Sequence, residues 1–144
     1  VECVAPTYFD APKYLPPSVV RSMVTVGGFD LADRFPFQNW SATLDIDHET
    51  KAKILTQQER EIRQLIGHAN NAAEGKFKPI KLQALDKMTS HLDDEIGRLK
   101  ALAKANPSIR KEEIDFMIDR RDHLAGAINK SQIRLDAVRL ILVA

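Results

Sequence analysis

The sequence predicts an α+β domain: a small, mostly antiparallel sheet formed by the two chain ends, with a three-helix antiparallel bundle or coiled-coil arm between them. Three observations predict it. Pro and Gly punctuate the first third, apolar residues recur at steps of three and four through the middle, and the tail ends in an unbroken apolar run. The expected divisions of this single domain are a β-rich segment over 1–46, a helical arm over 47–131 and a closing strand over 134–143.

Five of the seven prolines precede Arg60. Val1 to Ala5 and Ser18 to Val26 are rich in residues that suit a pleated surface, and breakers bound each run, so both are expected as strands. Gly27-Gly28 supplies the backbone freedom of a tight reversal. Phe35-Pro36-Phe37-Gln38-Asn39-Trp40 predicts a short third strand or an aromatic flap, with Pro36 favouring an edge. Phe35, Phe37 and Trp40 are expected as core or sheet cover.

The helices follow from apolar spacing. Ile54, Leu55, Ile62, Leu65, Ile66 and Ala69 mark a first helix from about His48 to Ala73. Leu85, Met88, Leu92, Ile96, Leu99 and Leu102 draw one stripe down a second, from about Ile80 to about Ala105, with Pro79 suiting its first turn. Asn106-Pro107-Ser108 ends that helix and starts the next, with Ser108 as the expected cap. Ile114, Met117, Ile118, Leu124 and Ile128 mark the buried side of the returning helix, and Arg120, Arg121 and Asp122 its wet side. Gly67, Gly97 and Gly126 lie inside helical runs, where each costs about 1 kcal/mol against Ala, and a close helix crossing would account for them. From Leu135 to Val143 the period changes, and the run suits a strand covered on both faces, central in the sheet.

Composition limits the function classes. With 44% apolar and 28% charged residues the chain can fold around one core, and its net charge of +1 gives no long-range field toward polyanions or anionic membrane. Cys3 is the lone cysteine, so neither an internal disulfide nor a multi-thiolate zinc site is available, and a reducing cytoplasm fits. No stretch approaches the about 20 apolar residues of a spanning helix, and no basic-then-apolar leader opens the chain. The first residues, already strand-like and without Met, lead us to expect a segment cut from a longer protein.

No catalytic, cofactor-binding or metal site is expected. A phosphate loop is missing, because Gly27-Gly28 has neither the Lys nor the following helix that would hold a nucleotide. Cys3 and the serines have no His and acid partners in a nucleophile context. His91 with Glu95, and Asp119 with His123, have the four-residue helical spacing of metal ligands, but solvated ion pairs are the better account of both. The one basic cluster is Lys76-Phe77-Lys78-Pro79-Ile80-Lys81, with Lys87 nearby. As an inter-helix turn, it would offer Lys76, Phe77, Lys78, Lys81 and Lys87 as contacts to nucleic acid or a partner; the competing reading folds Phe77 into the bundle and leaves the lysines as solubilising charge.

Ala101-Leu-Ala-Lys-Ala-Asn-Pro-Ser-Ile-Arg110-Lys-Glu-Glu-Ile114, followed by Ser131-Gln-Ile-Arg-Leu-Asp-Ala-Val-Arg-Leu-Ile-Leu-Val143, is strongly similar to the end of RapA proteins. Tyr14-Leu15-Pro16-Pro17-Ser18-Val19-Val20-Arg21 resembles a segment upstream in the same family, whereas Glu49 to Lys87 is only generically similar. The resemblance implies the non-catalytic carboxy-terminal module of a large, cytoplasmic, Swi/Snf-type, helicase-like ATPase that binds RNA polymerase and helps recycle it after transcription. ATP and Mg would act in motor domains that have no counterpart here, so no catalytic residue carries over. The implied partners are the other domains of the parent, core RNA polymerase and, for the parent, DNA or RNA; a membrane is not among them. Two roles are weighed: an accessory module that positions or regulates the motor or braces polymerase, and a nucleic-acid contact surface. A third reading is an unrelated helical protein-interaction domain.

Overall fold

The computed structural model describes residues 2–4, for their backbone, together with 10–36 and 46–142. Its elements are β1 (Glu2–Val4), α1 (Ala11–Tyr14), β2 (Ser18–Val19), α2 (His48–Gln57), α3 (Glu59–Ala105), α4 (Lys111–Asn129) and β3 (Gln132–Arg134). Helix predominates, as a long helical arm. The chain divides into two compact units, one of residues 1–19 with 77–144 and the other of residues 20–76.

In the first unit, α4 runs back along the later part of α3. The helical spacing of the stripe has its physical outcome here: Met88 and Leu92 of α3 and Leu124 and Ile128 of α4 are fully buried, with Phe77, Ala84, Ile96 and Ala127 beside them. Burying one such large side chain is worth about 1.5–3 kcal/mol. Polar contacts fix the register. Arg121 Nη1 donates to Asp93 Oδ1 at 2.7 Å across the two helices, and Lys81 Nζ donates to the carbonyls of Asn129 and Ser131 at 3.1 and 3.0 Å, where α4 ends. Arg120 and Arg121, expected on the wet side, are thus held: Arg120 pairs with Asp10, just before α1, and α1 packs on α4.

Strand pairing in this unit is short. β1 lies between β2 and β3 and is antiparallel to both, with Glu2 opposite Val19 and Arg134, and Cys3 opposite Ser18 and Ile133. The expected strand over 18–26 stops at Val19. The expected closing strand over 134–143 is corrected to Gln132–Arg134, at the edge of the pairing rather than its centre, and residues 135–142 form no regular element. Leu135, Val138, Leu140 and Leu142 are exposed, so that run is not covered on both faces. The ends of the strands expected over 1–5 and 134–143, namely Val1, Ala5 and Val143, lie outside the described residues, as do Phe37 and Trp40 of the aromatic run. Phe35, expected as core, is 44% exposed.

The second unit contains the reversal that Gly27-Gly28 predicts. Gly28 N donates to Thr25 O at 2.9 Å, Gly28 has φ +80°, and Val24 and Asp30 form an antiparallel bridge around the turn. A Cβ at Gly28 would come within 3.2 Å of the His68 ring. α2 begins on Asp47, which accepts the Thr50 hydroxyl on Oδ2 at 2.6 Å and the Thr50 amide on Oδ1 at 2.9 Å, so its carboxyl titrates below the usual value. No residue of α2 is buried, and Leu55 is exposed. Ile54, Ile62, Leu65 and Ala69 are half-buried and Ile66 is exposed, so the first stripe does not become a core seam.

Three further helix expectations are corrected. Residues 76–81 are not a turn between helices: α3 runs unbroken from Glu59 to Ala105 with Pro79 inside it. Pro79 cannot donate to the Gly75 carbonyl, but one missing bond is outweighed by the ladder on both sides. Ser108 does not cap α4; the cap position is Arg110, without a side-chain bond, while Ser108 N donates to Asn106 Oδ1 at 3.0 Å. Gly67, Gly97 and Gly126 have open space where a Cβ would stand, so none marks a close helix crossing.

Candidate interaction surface

Each residue of the basic cluster sits on α3, and the structure separates their roles. Lys76 Nζ lies 2.7 Å from Asp30 Oδ2 and donates to Arg21 O at 3.0 Å. Burial pushes the Asp30 pKa up, but the Lys76 ammonium and the amides of Met23 and Ala32 outweigh it and hold the carboxyl below its usual value. Phe77 is buried, as the bundle reading expects, and Lys81 Nζ stands 5.2 Å from its ring centroid while bonding to the two carbonyls beyond α4. Lys78 and Lys87 are exposed and make no ion pair among the described residues. Of the four lysines, two are therefore engaged in the fold.

The two histidines with the spacing of metal ligands are likewise occupied. His91 Nδ1 is 2.8 Å from the hydroxyl of buried Tyr14, and His123 Nδ1 is 2.7 Å from the Asp119 carbonyl one turn earlier in α4. Among the described residues, no group of three or more His, Cys, Asp or Glu comes together in a way that could hold an ion. No described helix is long and apolar enough to cross a membrane.

Sequence reasoning missed one feature. At the far end of the α3–α4 hairpin, Leu99, Glu112, Glu113, Phe116 and Met117 line an open hollow of about 360 Å³. Phe116 is 65% exposed, and Leu102, one turn beyond Leu99, is 48% exposed. The signal was present, since Phe116 stands off the Ile114, Met117, Ile118 face that turns inward on α4.

These observations define a largely helical module in which Lys76, Lys81, His91 and His123 are engaged by the fold, with an open hollow lined by both apolar and acidic side chains of α3 and α4. Comparison with known proteins supplies the family. Residues 1–143 match the family described as RNA polymerase recycling family C-terminal, and the chain belongs to it. It is 32% identical over 145 residues to RNA polymerase-associated protein RapA of Vibrio campbellii (strain ATCC BAA-1116), covering 100% of this chain and 15% of that protein. It is 31% identical, with the same coverage, to the protein of that name from Vibrio parahaemolyticus serotype O3:K6 (strain RIMD 2210633). The Proteus mirabilis (strain HI4320) protein of that name is 28% identical over 144 residues, 99% of this chain and 15% of the relative. The chain thus spans about 15% of the length of the curated relatives it matches.

Proposed function

We propose that the chain is a non-catalytic module of a cytoplasmic, RapA-like motor protein that associates with RNA polymerase and uses ATP hydrolysis to recycle it. In this reading the short antiparallel pairing of the chain ends anchors the helical arm to the rest of the parent, and the arm positions or regulates the motor or contacts polymerase. Nucleotide and Mg belong to the parent's motor domains. Full-chain similarity to polymerase-associated proteins carries the proposal. It is supported by the engagement of Lys76 and Lys81 with internal acceptors, which weakens the alternative of a nucleic-acid grip built on Lys76, Lys78, Lys81 and Lys87.

The test removes the whole module from the parent protein. Polymerase-stimulated ATPase activity should change while nucleotide binding persists; unchanged stimulation would defeat the proposal. A second reading, nucleic-acid contact through Lys78 and Lys87, rests on their exposure. It requires the parent's affinity for single-stranded DNA to fall on charge reversal at both, with a smaller salt slope.

A further inference from the structure

Resting on that reading, we propose that the hollow at the tip of the α3–α4 hairpin is a docking site for a segment of RNA polymerase that presents an Arg or Lys beside an aliphatic anchor. Two features of the hollow select this occupant. Leu99, Met117 and the exposed Phe116 give it apolar surface. Glu112 and Glu113 complete the lining and bring two acidic side chains to it.

Phe116 has no cohesive task that would explain it. The buried side of α4 is built from Leu124, Ala127 and Ile128, and Phe116 contributes none of that burial. An aromatic side chain left in water beside an apolar recess is the composition of an interface anchor. The carboxylates then set the sign of the partner. Glu113 is 3.5 Å from Arg110 in a loose, exposed pair, and Glu112 makes no ion pair among the described residues. Acids in the first turn of a helix also complement its dipole, but that role is met by position alone and leaves the outer carboxylate oxygens free to bind a cation. A guanidinium can lie on the Phe116 face while bonding to a carboxylate, and an aliphatic side chain can fill the recess between Leu99 and Met117. A phosphate backbone meets repulsion beside these two carboxylates, so nucleic acid does not fit here.

The experiment uses the full-length parent protein and purified core RNA polymerase as the probe. Hydrogen exchange over residues 109–120 is followed with and without polymerase, and affinity is measured for Phe116→Ser and for the double variant Glu112→Lys, Glu113→Lys. Polymerase should protect 109–120, the charge reversal should weaken binding at least tenfold with a steeper effect at low salt, and Phe116→Ser should weaken it at all salt concentrations. All three substitutions are at exposed positions, and circular dichroism of each variant checks that the fold is kept. Polymerase binding that needs the module yet is unaltered by both variants, with 109–120 unprotected, overturns the hollow and leaves the proposed function standing. Protection of 109–120 in the parent alone that goes beyond the helix's own bonds, and is lost in Phe116→Ser, assigns the hollow to another part of the parent or to a second copy and also overturns it. A parent that binds polymerase and responds to it equally well without the module defeats the underlying reading instead.

Discussion

The two units reach stability by different means. In residues 1–19 with 77–144, a continuous apolar seam of fully buried Met88, Leu92, Leu124 and Ile128 does most of the holding, with ion pairs at its margins. In residues 20–76, Val20 and Ala73 are the only buried apolar residues among those described, and the visible restraints are polar. Asp30 ties down the turn by accepting from Met23 N and Ala32 N and pairing with Lys76, and Ser22 Oγ donates to Ala69 O at 3.2 Å. Apolar cohesion does not depend on the protonation of any side chain; a carboxylate-centred network does. The first unit should therefore fail when volume is removed, and the second when charge is removed.

The largest expected effect is in the seam. Leu124→Ala, at a site with no solvent exposure, should lower stability by about 2–5 kcal/mol in urea unfolding followed by circular dichroism. A loss below about 0.5 kcal/mol, the size ordinary at surface positions, would break the contrast.

Next in size is the Asp30 network. Asp30→Asn should cost about 1–3 kcal/mol locally, seen as faster amide exchange over residues 22–32 and unchanged exchange around Leu124. Because the folded-state pKa of Asp30 lies below that of a free aspartate, its contribution is fully present above the free value and is lost as pH falls through the lower, folded-state one. Acid titration should thus loosen residues 22–32 in wild type, and the Asp30→Asn variant should show no such step.

A smaller effect, about 1 kcal/mol, is expected for Lys81→Met, which keeps most of the stem packing and removes the donors to Asn129 and Ser131. Faster exchange of amides at the end of α4 would report it. The smallest concerns Leu55→Gln in α2, where the side chain is exposed: the midpoint of urea unfolding should shift by no more than about 0.5 kcal/mol equivalent, and a larger loss would reveal packing at α2 that the structure does not contain.

What the sequence made legible tracks the same division. The stripe through Met88, Leu92 and Ile96 and the returning face with Leu124 and Ile128 were readable because a buried helix face enforces a strict spacing. The reversal at Gly27-Gly28 was readable because few residues tolerate the positive φ of Gly28. Pro79 misled, since its fit to the first turn of a helix is a local preference, and the hydrogen bonds on either side of it outvote one lost donor. The apolar run Leu140-Ile141-Leu142 misled for the opposite reason: apolar composition records a tendency to be covered, and the described part of this chain does not supply the cover. For the candidate surface, the lysines could be found but not sorted. Long, flexible stems let Lys76 and Lys81 reach carbonyls some fifty residues away, and no sequence spacing reveals that. Phe116 was visible as a residue off its helix face, but the hollow beneath it depends on how α3 and α4 pair.

The missing rung at Pro79 has a consequence for how damage spreads. Helical order is passed along by successive bonds four residues apart, and in the interior of α3 the Gly75 carbonyl faces Pro79, which cannot answer it with an amide. Fraying that starts among residues 59–74 therefore meets a firebreak before it reaches Phe77 and the residues that follow. Heat, protease or a poor substitution upstream can melt that stretch while the helix beyond the proline keeps its order.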